Sequence, residues 1–140
     1  MKFYIASKLG NREQVQSLAD KLKASGWVHT FDWTKLGSVD PSDSRTLMSI
    51  GQQEFDGVKN ADILIVLAPG GRGTHTEFGM AIALNKIIYL CHTDDAYFRC
   101  GDNTSTFYWL PQVRQFIGSI DEIAEDLLHR GHTVSTQDET

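Results

Sequence analysis

The sequence predicts an α/β fold, a single domain in three layers built on a doubly wound parallel sheet of about five strands. Three observations predict it. Short apolar segments alternate five times with segments of helical spacing, which demands parallel strands joined by right-handed crossovers, with helices on both faces. One short segment, DILIVLA at 62–68, is nearly continuous in apolar character, as a central strand covered on both sides must be. A glycine-rich stretch, PGGRG at 69–73, then separates that strand from the next helical segment.

Taken in order, residues 2–7 form a first strand that runs into a turn at Ser7-Lys8-Leu9-Gly10. Val15, Leu18, Ala19 and Leu22 recur at i, i+3, i+4 and i+7, so an amphipathic helix follows, with Asn11 as its N-cap and Gly26 just past its end. Residues 27–32 alternate as a second strand, and a polar loop with Gly37 and Pro41 leads to a helix over 44–60. After the central strand and the glycine loop, residues 78–84 (FGMAIAL) are apolar all round, which predicts a largely buried helix. Residues 87–91 form the next strand and 113–117 a short last one, while 92–112 has no clear periodicity. Ser119 and Glu122 make a capping box ahead of Ile120, Ile123, Ala124, Leu127 and Leu128, with Gly131 as the stop. One domain over 1–131 with a flexible tail over 132–140 is therefore expected. The expected strand order is flavodoxin-like, with ligands bound at the carboxyl ends of the strands.

Composition narrows the function. A formal net charge of -5 and dispersed Lys and Arg argue against a nucleic acid polymer as partner. The amino terminus turns polar too soon for a signal peptide, and no run approaches a membrane span, so a cytoplasmic protein is expected. Cys91 and Cys100 form neither a disulfide framework nor a metal motif, and the five histidines show no ligand spacing. Neither a metal nor an organic cofactor is expected.

The chemistry concentrates in Pro69-Gly70-Gly71-Arg72-Gly73-Thr74-His75-Thr76-Glu77. Glycines let backbone N–H groups approach a ligand, and a helix start behind them favours a phosphate, carboxylate or sugar hydroxyl. Arg72 either adds a bidentate cation to such an anion or is simply solvated, and His75 is equally ambiguous. Glu77 falls in the first turn of the expected helix, where the macrodipole stabilises a carboxylate ready to attack. Yet Thr74-His75-Thr76-Glu77 is also a capping box, and a Glu at the third helical position needs no other role. Glu54 shares a helix face with Leu47, Ile50 and Val58, so it must be paired, protonated or turned to a cleft. Tyr4 either presents its phenol to that cleft or packs in the core; Trp33 either stacks on a planar base or packs. Phe107-Tyr108-Trp109 reads as packing, a base wall or an oligomer contact.

Together these segments resemble the nucleoside 2-deoxyribosyltransferase family. Phe3-Tyr4-Ile5-Ala6-Ser7 is similar to its first strand, the run from Gln53-Glu54-Phe55 to Asn60-Ala61-Asp62 to its second helix and third strand, and Gly73-Thr74-His75-Thr76-Glu77-Phe78-Gly79 to its catalytic segment. The resemblance implies that Glu77 is the nucleophile on the sugar C1', that Tyr4 holds it by a hydrogen bond, and that Glu54 stands where the family has a substrate-contacting aspartate. Ser7, Trp33 and the Pro69, Gly70, Gly71, Arg72, Gly73, Thr74 loop would then bind a small nucleoside or nucleotide. A homo-oligomer is expected, because in that family a neighbouring subunit helps complete the site. The stretch PGGRGTHTE also resembles the PGGxGTxxE motif of nucleotide phosphoribohydrolases, which are longer and carry a second glycine-rich motif not found here. Cleavage of a nucleoside 5'-monophosphate is thus the alternative activity, and a non-catalytic nucleotide sensor the alternative of another class. An enzyme requires Tyr4, Glu54 and Glu77 to converge; a sensor does not.

Overall fold

The structure, a computed structural model, describes the backbone of residues 1–138 and the side chains of residues 1–130. Five strands, β1 (Lys2–Ala6), β2 (Val28–His29), β3 (Ile63–Leu67), β4 (Ile87–His92) and β5 (Val113–Ile117), form one parallel sheet in the order β2-β1-β3-β4-β5. Helices α1 (Arg12–Ala24) and α4 (Ile120–Asp138) pack together on one face; α2 (Ser44–Asn60) and α3 (Arg72–Ala83) pack together on the other. This is the flavodoxin-like, three-layer arrangement that the alternation predicts. All five residues of β3 are buried, which explains why its sequence lacks a polar face.

Side-chain alternation assigns the layers. On β1, Tyr4 points at α2 and α3, and Phe3 points the other way, against Trp27 and His29. The carboxyl ends of β1 and β3 therefore open on the side where α3 begins.

Several helix ends follow the sequence. Asp43 caps α2 by accepting from the backbone N–H groups of Arg45 and Thr46. Ser119 and Glu122 form the expected reciprocal box, each side chain accepting from the other residue's N–H. Asn11 stands at the cap position of α1 but donates instead to Ser7 Oγ, at 2.8 Å, and to the Pro69 carbonyl, tying the two loops of the cleft together.

Other expectations need correction. The second strand shrinks from 27–32 to two residues, because Thr30 Oγ1 donates to the carbonyls of Phe3 and Gly57 and Asp32 caps a 3-10 turn at Trp33–Lys35. Helix α3 is not buried all round. It covers the sheet with Thr74, Glu77, Phe78 and Ala81 and turns Gly79, Ala83 and Leu84 outward, as the outer layer of a three-layer fold must. The 92–112 stretch is irregular except for a 3-10 turn at Thr106–Trp109, anchored by buried Tyr108. Helix α4 is continuous past Gly131 to Asp138, and the tail expected over 132–140 falls outside the residues whose side chains are described.

Candidate active site

The glycine loop decides where α3 starts. A Cβ at Gly70 would lie 2.4 Å from Thr74 Cγ2, so only glycine lets Thr74 fold back over the loop. Thr74 Oγ1 then accepts from the Gly71 N–H at 3.1 Å, and the helix begins at Arg72. Glu77 is consequently the sixth residue of α3, in its second turn. The capping box expected at Thr74 and Glu77 does not form, and the expected help from the macrodipole, which fades beyond the first turn, goes with it.

What Glu77 has instead is a buried carboxyl and a phenol. Its exposure is 7 %, and Tyr4, fully buried on β1, donates its hydroxyl to Glu77 Oε2 in a hydrogen bond. Burial raises the Glu77 pKa to about 8, against the lowering effect of the Tyr4 hydrogen bond and with a smaller push from the Glu54 charge. Tyr4 is driven far above its ordinary value, first by burial and then by Glu77, so it stays a neutral donor.

Glu54 reaches the same cleft from α2. It is half-buried, forms no ion pair among the described residues, and burial raises its pKa. The salt bridge that would have made it ordinary is absent there. One turn further along, Gly57 packs directly on Tyr4: a Cβ there would lie 2.9 Å from the Tyr4 ring and from Phe31 Cβ. That close approach brings α2, and Glu54 with it, over the carboxyl end of β1.

The cleft between these elements encloses about 920 Å³. Its lining includes Ser7, Trp33, Glu54, Gly71, Arg72, Gly73, Thr74 and Glu77, so most of the residues singled out in the sequence meet in one place. Pro69, Gly70 and Tyr4 do not line it: the first two shape the loop behind, and fully buried Tyr4 meets the cleft only through its hydrogen bond to Glu77. Ser7 is engaged, donating to the Leu67 carbonyl at 2.7 Å and accepting from Asn11. Trp33 is mostly packed, its Nε1 donating to the Ile5 carbonyl at 2.7 Å, and contributes one edge to the wall. His75 turns away: its Nδ1 donates to the Gly71 carbonyl at 2.9 Å, which leaves Nε2 to accept from the Tyr108 hydroxyl at 2.8 Å. That latch holds the start of α3 to the 92–112 segment.

Sequence reasoning missed the cationic and apolar parts of the cleft. Lys8 and Arg12 join Arg72 at its rim, and Leu36, Val39, Leu47 and Ile50 close its far side. The only signal for Leu47 and Ile50 was the apolar face they share with Glu54; Lys8 and Arg12 had none. Among the described residues no group of three or more His, Cys, Asp or Glu side chains is placed to hold a metal ion.

The model of the family described as nucleoside 2-deoxyribosyltransferase matches residues 3–137. Among solved structures, the CMP N-glycosidase BcmB of Clostridium botulinum is similar, with a TM-score of 0.62 and 20% identity over 91% of this chain and 98% of that one. A conserved protein from Enterococcus faecalis V583 matches with a TM-score of 0.59 and 16% identity over 93% and 98%. At these identities the structural likeness speaks for the fold alone. No curated protein matches the sequence.

Proposed function

We propose, from the premise that this chain belongs to the nucleoside 2-deoxyribosyltransferase family, that it cleaves or transfers the N-glycosidic bond of a nucleoside or nucleotide with Glu77 as nucleophile. The observation that carries the reading is the Tyr4 hydroxyl on Glu77 Oε2 at the floor of a cleft that Glu54 also enters. A sensor would have no use for two carboxyls with raised pKa values facing one cavity.

The geometry supports a retaining double displacement. With Oε2 held by Tyr4, Oε1 of Glu77 attacks C1' as the C1'–N bond breaks and its electron pair leaves with the base. The departing base takes a proton from the Glu54 carboxyl, whose pKa partial burial raises. In the second step an acceptor base or water attacks C1' of the ester and gives its proton to Glu54, and Glu77 leaves as the carboxylate. Glu77, its pKa raised to about 8, holds a proton at neutral pH in the empty site, so that proton must pass to Glu54 or to solvent before Glu77 attacks. Positive charge developing at C1' favours the anion on Glu77 rather than Glu54.

A 5'-monophosphate substrate is the second reading, favoured by Lys8, Arg12 and Arg72 at the rim beside the start of α3. The similar CMP N-glycosidase acts on a substrate of that kind. Homo-oligomerisation is part of the proposal as well, since α3 leaves Leu84 outward and Phe107 and Trp109 are exposed at 59% and 47%. No helix among the described residues is long and apolar enough to cross a membrane.

A panel of nucleosides and 5'-monophosphates, with and without an acceptor base and resolved by chromatography, tests the reading. Released base or a new nucleoside is expected, and Arg72→Ala should weaken monophosphates far more than nucleosides. Sedimentation of the same samples should give a dimer or larger. No turnover of any member would reject the activity.

A further inference from the structure

The molecule has a second cavity, at the end of the sheet opposite the cleft. It encloses about 860 Å³ and is entered past Met1, Ile63 and Ile87, at the amino-terminal ends of β1, β3 and β4. Part of its wall is the last fully described turn of α4, and part is the Asn85-Lys86 turn between α3 and β4, where Asn85 adopts a φ of 57°. Nothing in the proposed chemistry uses this space, which no residue of the Tyr4, Glu54 and Glu77 group lines.

Three features mark it as a ligand site. Tyr89, on β4 and 1% exposed, lines the cavity, and its hydroxyl is buried with no hydrogen-bond partner among the described residues. Buried polar groups are ordinarily satisfied, so an unused phenol here calls for an acceptor brought from outside. The charge is one-sided. Lys86, its Nζ fixed on the Lys59 carbonyl at 2.6 Å, and Arg114 both line the cavity with no carboxylate partner among the described residues. Among the described residues the one carboxylate in the lining, Asp126, is held by Arg130 at 2.7 Å. In a chain of net charge -5, two unneutralised cations at a cavity mouth are a local reversal of sign. Finally, half-buried Trp27 supplies apolar planar surface to the cavity wall.

We propose that this cavity is a second small-molecule site, which takes a small planar anion: an acidic group against Lys86 and Arg114, a flat ring against Trp27, and an acceptor for the Tyr89 hydroxyl. A nucleotide and an aromatic carboxylate share that chemistry. The site lies at the wrong end of the strands to be part of the catalytic cleft, and its existence does not depend on Glu77 being the nucleophile.

The three tryptophans separate the two sites in a single spectrum. Trp27 lines the second cavity, Trp33 the catalytic cleft, and Trp109 lines neither. Their indole N–H resonances would be followed while the protein is titrated with pseudouridine 5'-monophosphate, whose carbon-linked base survives any N-glycosidase, with 4-hydroxybenzoate, or with inorganic phosphate. A saturable shift of the Trp27 resonance with either organic anion is expected, with phosphate alone far weaker; which anion saturates first identifies the class. The double substitution of Lys86→Ala with Arg114→Ala should weaken that response about tenfold or more and leave any Trp33 response unchanged. Tyr89→Phe should weaken it severalfold without lowering the melting temperature, since it removes only an unpartnered hydroxyl. A Trp27 resonance that neither organic anion moves up to millimolar concentration would overturn the site. So would one that phosphate moves as well as they do, or one whose response survives the double substitution.

Discussion

Glu77 and Glu122 both follow a hydroxyl residue by three positions near the start of a helix. In α4, Glu122 is exposed and folds back onto the Ser119 N–H at 3.0 Å, and its pKa is lowered by hydrogen bonds to Ser119. In α3, Glu77 is buried against Tyr4, far from any cap, and its pKa is raised. The difference is one glycine. Gly70 leaves room for Thr74 to fold back and cap the Gly71 N–H, so α3 begins at Arg72 and Glu77 is carried one turn deeper and swings toward the sheet. A capping motif thus fixes nothing until the first helical residue is known.

The largest expected effect separates the two glutamates by activity. Glu77→Gln should lower turnover by several orders of magnitude with ligand binding nearly intact, as loss of an attacking group does, and Glu122→Gln should leave turnover unchanged. Comparable losses in steady-state assays of both variants would erase the distinction.

A smaller effect is expected from the glycines that flank each region. Gly57→Ala forces a methyl group into the Tyr4 ring and Phe31, which should cost about 1–3 kcal/mol of stability. It should also lower turnover by roughly 10- to 100-fold through misplacement of the Tyr4 and Glu77 pair. At Gly118, before the α4 box, a methyl would press on the Phe116 ring at 2.9 Å and on Glu122 Cβ at 3.1 Å, so stability should fall there as well, but away from Tyr4 and Glu77 activity should hold. Denaturation curves and rates measured on both variants check this.

The smallest effect is in the pH dependence of stability, where the two glutamates have opposite signs. The folded pKa of Glu77, about 8, lies above the ordinary carboxyl value, so its contribution is fully present below about pH 4.5 and is lost as pH rises through about 8. Glu77→Gln removes that loss, and its gain in melting temperature over the wild type should grow across that window. Glu122 has a lowered pKa, so its contribution is present above the ordinary value and disappears as pH falls through the folded one. Glu122→Gln should therefore destabilise at neutral pH and not in acid. Parallel trends in the two variants would contradict the opposed environments.

Much of the fold was legible because period and burial leave a direct trace: the apolar run of β3, the i, i+3, i+4, i+7 face of α1, and the bounds of α2 at 44–60. The strand order matches the flavodoxin-like expectation, although the alternation by itself suits other doubly wound orders too. Glu54 was legible as a carboxylate on an apolar face, but the face alone left an ion pair with a nearby Lys or Arg equally open. What the sequence hid was set by tertiary contact. The start of α3 depends on a clash avoided between Gly70 and Thr74, and the closeness of α2 to Tyr4 on the missing Cβ of Gly57. His75 is decided by Tyr108, 33 residues away, within a segment that has no period to read. The outward face of α3 looks like core because its residues are apolar; composition alone does not say what covers them.

The most direct measurement of the central claim is the trapping of the covalent intermediate. A 2'-deoxy-2'-fluoro analogue of whichever nucleoside or nucleotide turns over should form the ester and then release it slowly, because the electron-withdrawing fluorine opposes positive charge at C1'. Peptide mass mapping of the trapped protein should find the glycosyl mass on Glu77, and Glu77→Gln should carry none. A glycosyl mass on Glu54, or on any carboxylate other than Glu77, would contradict the account.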